Sequence, residues 1–325
     1  MKFLITGITG FVGPHLANLL YQEEHEVYAL IRCSNGREND IRDIVPDHIY
    51  TNINFLYGNL NNYRVLQNIF TEHSFDGVFH LAAQSHPPSS FIDPIGTFED
   101  NILNSANLIQ IISEKNPSCR MMFCSTSEVY GNIGMGGQLL TNKDKLFPAN
   151  PYGVSKAAID LYMQERIENK KIQGFITRAF SHTGPRRGRN FSISSDAFQI
   201  ARMMKNLQEP ILKIGNLESV RVVMDVRDTA RAYYLTMMHP DSNGQIFNVC
   251  GSIPRKMQFF TDKLLELSGL SNITQEICPK LYRPIDIHYQ HGDSTNLKEL
   301  TGWQETYSIE ETLQSLLNYW IDKIK

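Results

Sequence analysis

Lys2-Phe3-Leu4-Ile5-Thr6-Gly7-Ile8-Thr9-Gly10-Phe11-Val12-Gly13 is the stretch that decides the fold. A short apolar run stopped by a glycine reads as a buried parallel strand. The glycine triplet follows, and Leu16, Leu19 and Leu20 then recur at helical spacing. A glycine-rich turn between a strand and a helix lets backbone N–H groups approach a pyrophosphate at the helix N-terminus. A tight turn that merely packs the helix closely is the competing reading. In the first reading Gly7, Gly10, Phe11, Val12 and Gly13 form a dinucleotide cradle.

Outward from this turn, strand and helix keep alternating. Glu26–Ile31 reads as the second strand, Asn54–Gly58 as the third with Asn59 and Leu60 at its carboxyl end, and 64–70 as a helix. Gly77–Ala83 is the fourth strand; the small Ala82 and Ala83, after Leu81, let a cofactor pass close over its end. A helix then carries Asn101, and Arg120–Cys124 empties into Ser125-Thr126-Ser127-Glu128. Such alternation predicts an α/β fold, a Rossmann-type doubly wound parallel sheet with ligands at the carboxyl ends of its strands. Where the second strand ends, an acidic residue for a ribose hydroxyl is the usual feature. This chain has Arg32, Ser34, Asn35 and Arg37, which suit a 2′-phosphate and favour NADP, with NAD possible. Exposed loop arginines are the alternative.

Bulk properties narrow the function classes. The chain has 325 residues, 42% hydrophobic and 20% charged, with a formal net charge of -3. A sizeable core is expected, and neither a nucleic-acid nor a membrane-surface partner. No apolar run approaches the roughly 18 residues of a membrane span. The N-terminal run is too short for a signal peptide, so the expected location is cytoplasmic. Five scattered cysteines (Cys33, Cys119, Cys124, Cys250, Cys278) and ten histidines show no ligand spacing, so no metal and no disulfide frame is expected.

Pro151-Tyr152-Gly153-Val154-Ser155-Lys156 places a phenol and an ammonium four residues apart on one helix face. A nearby ammonium favours the phenolate, which lowers the tyrosine pKa and suits proton exchange with a substrate hydroxyl. Taken alone, the pair equally describes a helix surface. Beside the cradle, Ala82-Ala83-Gln84 and Thr126-Ser127-Glu128, it fits oxidation of an alcohol carbon next to a nicotinamide.

The order GITGFVG, HLAAQS, CSTSEVYG and NPYGVSK resembles the extended short-chain dehydrogenase/reductase family that modifies nucleotide-activated sugars. His80–His86 with Ser90-Phe91, Thr126-Ser127-Glu128 and Ser181–Gly188 resemble its GDP-mannose 4,6-dehydratases. Gly215–Arg221, Val226-Arg227-Asp228, Leu281–Pro284 and Gly292-Asp293 resemble at least as much its GDP-4-keto-6-deoxymannose reductases. The resemblance implies Tyr152 as catalytic acid/base, with Lys156 tuning it and holding the nicotinamide ribose. It implies Thr126 at the sugar 4-hydroxyl and Glu128 beside C5 and C6. Arg221 and Arg283 match positions that hold the nucleotide-sugar pyrophosphate, surface charge or ion pairing being their plainer reading. Gln84, Ser85, Ser181, Arg187 and Asn216 complete the implied substrate set.

Three departures from that pattern bear on the sugar. Ser181 replaces an asparagine, Val222 follows Arg221 where an aspartate partner is usual, and Asn59 stands in place of an aspartate at the adenine edge. A GDP-heptose in place of GDP-mannose would fit altered sugar contacts. Residues 1–178 are expected to form the dinucleotide domain. Residues 179–325 would form mainly the nucleotide-sugar lobe, with helices over 196–207, 228–238, 257–268 and 309–322 and some segments returning to the main domain. The basic loop Arg186-Arg187-Gly188-Arg189 matches one that contacts a neighbouring subunit, implying a homo-oligomer, dimer or tetramer. The leading expectation is a GDP-sugar 4,6-dehydratase. The alternatives are a reductase, C4-dehydrogenase or epimerase of the same family, or a non-catalytic dinucleotide sensor, against which the intact Thr126, Tyr152 and Lys156 speak.

Overall fold

A computed structural model describes residues 1–32, 36–282 and 285–324. Six strands come first: β1 (Lys2–Thr6), β2 (Glu26–Ile31), β3 (Asn54–Tyr57), β4 (Gly77–His80), β5 (Arg120–Thr126) and β6 (Gln173–Ala179). Seven more follow: β7 (Ser181–Thr183), β8 (Ile211–Ile214), β9 (Val220–Asp225), β10 (Ile246–Val249), β11 (Pro254–Lys256), β12 (Thr274–Ile277) and β13 (Tyr289–Gln290). The central sheet has the order β10-β6-β5-β4-β1-β2-β3, and every pairing in it is parallel. This is the Rossmann-type doubly wound sheet, and its strand order reverses between β1 and β4, where such sheets bind ligands.

Residues from both faces of the sheet are excluded from water, which is why its strands read as continuous apolar runs. On one face Phe3, Ile5 and Phe79 pack with Leu16, Leu20, Tyr233 and Met237. On the other Leu4, Val78 and Met121 pack with Leu66, Leu108, Ile112 and Met163. A third cluster, including Ile193, Ile200, Leu212, Phe260 and Leu313, makes the core of the smaller lobe. The lobe sheet is built on β9, paired with β7, β11 and β13, while β8 and β12 pair separately. Its helices run Ser192–Met204, Val226–Met238, Met257–Ser268 and Ile309–Lys323. The Ser192–Met204 helix thus begins four residues before its expected start.

β4 is shorter than its apolar run suggested. Asn101, on a π-type turn over Glu99–Leu103, accepts from the Gln84 N–H at 2.7 Å and donates to its carbonyl at 3.0 Å. The Leu81 N–H still reaches the Thr6 carbonyl at 3.1 Å, but with Gln84 held by Asn101 the ladder ends there, and Leu81, Ala82 and Ala83 form the loop lip over the strand end. Among the described residues no helix is long and apolar enough to cross a membrane.

Candidate active site

A cavity of about 610 Å³ runs from the carboxyl end of the central sheet into the lobe. At its sheet end lie Gly7, Gly10, Phe11, Val12 and Gly13, with Arg32, Asn59, Leu60, Leu81, Ala82 and Ala83. Gly7 has φ +81, and a Cβ there would lie 2.7 Å from the backbone nitrogen of Ala82. A Cβ on Gly13 would lie 2.5 Å from the Cα of Ile8. Neither position accepts a side chain, so the turn keeps its backbone bare. The Val12–Gln22 helix starts here without a side-chain cap, leaving first-turn N–H groups for an anionic ligand. The cradle therefore fits a dinucleotide pyrophosphate. Of the residues named for a 2′-phosphate, Arg32 lines the cavity, Arg37 is exposed, and Ser34 and Asn35 lie outside the described residues.

The loop after β7 closes over this turn. Arg187 lies 3.5 Å above the Phe191 ring and 4.8 Å above Phe11, which also stacks parallel on the His182 ring at 5.6 Å. Burial, with Arg187 next, lowers the His182 pKa to about 4, so the stacked imidazole is neutral at working pH. Arg186 donates to the carbonyls of Thr9 and Gly10. Through Arg186 the basic loop thus grips the cradle of its own chain.

The catalytic candidates meet where β5 ends. Thr126 closes the strand and its hydroxyl accepts from the Glu128 N–H at 3.3 Å, capping the short 3-10 turn that carries the glutamate. The Pro151–Glu168 helix brings Tyr152, whose phenol hydrogen-bonds to Thr126. Thr126, Glu128 and Tyr152 all line the cavity and are all buried. Lys156 stands one turn further on, its Nζ 4.3 Å from the centre of the Phe123 ring.

The electrostatics correct one expectation. Burial pushes the Tyr152 phenol well above its ordinary pKa, opposed by the Thr126 bond and by Arg187; the lysine does not set the direction. Lys156 is itself lowered to about 8, again by burial, against the pull of Cys124 and Asp160. Desolvation of each group outweighs the neighbours that oppose it, because each charged form loses more hydration than those neighbours return. Beneath them Asp160 and Arg178 form a buried bidentate pair, both contacts 2.9 Å. His80 is lowered to about 3 by burial and then by Lys156, and bridges Thr6 and Ser105 as a neutral ring.

Asn150 was not legible as a site residue. Its Oδ1 accepts from the Gly153 N–H at 2.8 Å, capping the tyrosine helix, while its Nδ2 donates to Glu128 at 2.7 Å. One side chain thus fixes the phenol-bearing helix and the carboxylate relative to each other. The local signal was only that of a helix cap before a first-turn proline. Asn150→Ser retains a capping oxygen but loses the amide donor. It should leave the melting temperature nearly unchanged while lowering turnover roughly tenfold, the worth of one hydrogen bond to a charged group. Steady-state kinetics paired with thermal melts check this.

The remaining substrate candidates divide. Ser85, Ser181, Arg187, Asn216 and Arg221 line the cavity. Gln84 does not: its side chain donates to Thr97 at 3.2 Å and accepts from the His86 N–H at 2.6 Å, fastening its own loop. Arg283 lies outside the described residues. The partner that Val222 failed to offer Arg221 comes from Asp286, 3.3 Å away. Asp286 also accepts from Asn216 and Ser219, each at 2.7 Å. Its distance along the chain hid it from a local reading.

A sequence model of the family described as GDP-mannose 4,6 dehydratase matches residues 4–316. A GDP-6-deoxy-D-mannose reductase from Pseudomonas aeruginosa is 28% identical, over 100% of this chain and 98% of its own length. Human GDP-mannose 4,6 dehydratase is 26% identical, over 97% of this chain and 90% of its own length. Among solved structures, that of RMD from Pseudomonas aeruginosa complexed with NADPH has a TM-score of 0.82 at 26% identity, covering 99% of each chain. A UDP-glucose 4-epimerase from Thermotoga maritima with UDP-glucose has a TM-score of 0.86 at 23% identity over 100% of both chains, a likeness of fold alone.

Proposed function

Because this chain belongs to the GDP-mannose 4,6 dehydratase family, we propose that it is a 4,6-dehydratase acting on a GDP-activated hexose or heptose, with NADP as its nicotinamide cofactor. One observation carries the reading. A buried carboxylate, Glu128, is held by Asn150 in the same cavity as the Thr126–Tyr152 pair. Exchange of a proton at the 4-hydroxyl needs only the phenol and a hydroxyl. Elimination of water across C5 and C6 needs a second acid/base on the other side of C4, and Glu128 supplies it.

The Gly7–Gly13 cradle and the lip Leu81–Ala83 would hold the dinucleotide, with Tyr152 and Lys156 at its nicotinamide ribose. Bound there in its oxidised form, a nicotinamide supplies a two-electron acceptor for C4, a donor back to C6, and a positive charge beside the phenol. Tyr152 takes the 4-hydroxyl proton, with Thr126 holding that oxygen in line. The resulting 4-ketone acidifies the C5 hydrogen, which Glu128 removes. The same carboxyl then delivers its proton to the departing 6-hydroxyl, so water leaves; reduction at C6 is completed by a proton at C5 that balances the one Tyr152 took, and both groups are reset. Arg221, steadied by Asp286, would meet the pyrophosphate with its fork of donors.

The relationship to the Pseudomonas reductase over the full chain favours a second reading, reduction of a 4-keto-6-deoxy sugar, in which Glu128 only orients the ring. The two separate in one experiment. The purified protein is incubated with GDP-mannose, and separately with a GDP-manno-heptose, without added reductant. A product lighter by one water supports dehydration; turnover of a 4-keto-6-deoxy sugar only when NADPH or NADH is supplied supports reduction.

A further inference from the structure

At the end of the cavity remote from the glycine cradle, the wall is made by the Ser192–Met204 helix, the end of β8 and the start of the Met257–Ser268 helix. Gln199 fixes the first two together, accepting from the Lys213 N–H and donating to its carbonyl, both at 2.9 Å. Gly215 and Asn216, which follow β8, line the cavity beside Ile193, Val223 and Met257. On these three elements, between the apolar Ile193 and Met257 and near Ser192, Ser194 and Ser195, one carboxyl lines the cavity, Asp196, 4% exposed. One of its oxygens accepts from the Thr261 hydroxyl at 2.7 Å. Among the described residues no other donor reaches this carboxyl. Burial, opposed only by the threonine, pushes its pKa up to about 7, the mark of a carboxyl short of donors.

Resting on the proposed GDP-sugar substrate, we infer that Asp196 reads the base: its carboxylate accepts the N1–H and 2-amino donors of guanine. Guanine presents two adjacent N–H donors on one edge, and an ionised carboxylate is the side chain that accepts two in parallel. Uracil and cytosine present no such pair. Helical spacing places Ile193 three residues before Asp196, and Met257 four before Thr261, so apolar side chains flank the carboxyl where the faces of a base would lie. The order along the cavity agrees. Thr126, Glu128 and Tyr152 occupy the sugar end and Arg221 on β9 the proposed phosphate position. Val223, two residues on and on the same face of that strand, leads to the Asp196 wall.

Calorimetric titration of the purified protein with GDP, IDP and UDP, repeated on Asp196→Asn, tests this. IDP differs from GDP only by lacking the 2-amino group. The wild type should bind GDP roughly tenfold to a hundredfold tighter than IDP, the range for one hydrogen bond to a charged group. In the variant GDP should weaken by at least about tenfold and the gap to IDP should close, with the melting temperature showing that the variant is folded. Equal wild-type affinity for GDP and IDP, an arm that needs no variant, overturns the inference. So does a gap that survives in Asp196→Asn while GDP remains preferred over UDP, and that result leaves the GDP-sugar reading intact. Wild-type preference for UDP over GDP sinks both.

Discussion

Tyr152→Phe is expected to lower turnover by about 10²–10⁴-fold while the protein stays folded and retains its dinucleotide. The factor is that of a positioned general acid/base removed from the transition state. The ring is buried, so the phenylalanine keeps the packing and only the hydroxyl disappears. Thr126 still accepts from the Glu128 N–H, and its hydroxyl lines a cavity that water can enter, so the folding penalty stays at about 1 kcal/mol. The glycine cradle does not involve this side chain. Product formation followed by mass spectrometry, alongside the nicotinamide absorbance of the purified protein, makes the check. Unchanged turnover would remove Tyr152 from the chemistry altogether.

Glu128→Gln should be as damaging to dehydration, about 10²–10⁴-fold, yet leave an earlier step running. Glutamine matches the shape of glutamate and offers Asn150 an oxygen to bond, so the turn after β5 keeps its place. What it lacks is the ability to take the C5 proton. With Tyr152 and Thr126 intact, oxidation at C4 should still proceed and stall, visible as accumulating reduced-nicotinamide absorbance when GDP-sugar is mixed with the oxidised holoenzyme. Loss of the 4-keto-6-deoxy product together with that accumulation assigns the base. If the substitution leaves dehydration intact, the carboxylate serves only to orient the sugar. Together the two variants separate proton exchange at C4 from proton removal at C5 in the proposed reaction.

What the chain revealed in advance was whatever is encoded over a few neighbouring residues. The glycine turn, the Thr126-Ser127-Glu128 strand end and the Tyr152–Lys156 helix face each follow from backbone periodicity. The alternation that carries them to one edge of a parallel sheet does too. What it hid was whatever depends on a partner far along the chain. Asp286 reaches Arg221 across 65 positions, and Asp196 reaches Thr261 across the same number. Arg186 meets Gly10 across 176. The expected lysine effect on Tyr152 failed for a related reason, since burial of both groups is a property of the assembled fold and dominates both shifts. Gln84, placed by motif among the substrate contacts, turned instead to Thr97 because its loop needed a fastening.

The position of β10 has a consequence for how the molecule can be divided. Ile246–Val249, from deep in the second half of the sequence, forms the outer strand beside β6. A chain ended at residue 178 would leave β6 as the bare rim of the sheet, its N–H and C=O groups facing water and open to any passing strand, the arrangement from which aggregates grow. During synthesis that rim stays open until some seventy further residues have emerged. Chemistry is shared between a cradle and a lobe, but the hem of the sheet is sewn by the lobe's own thread.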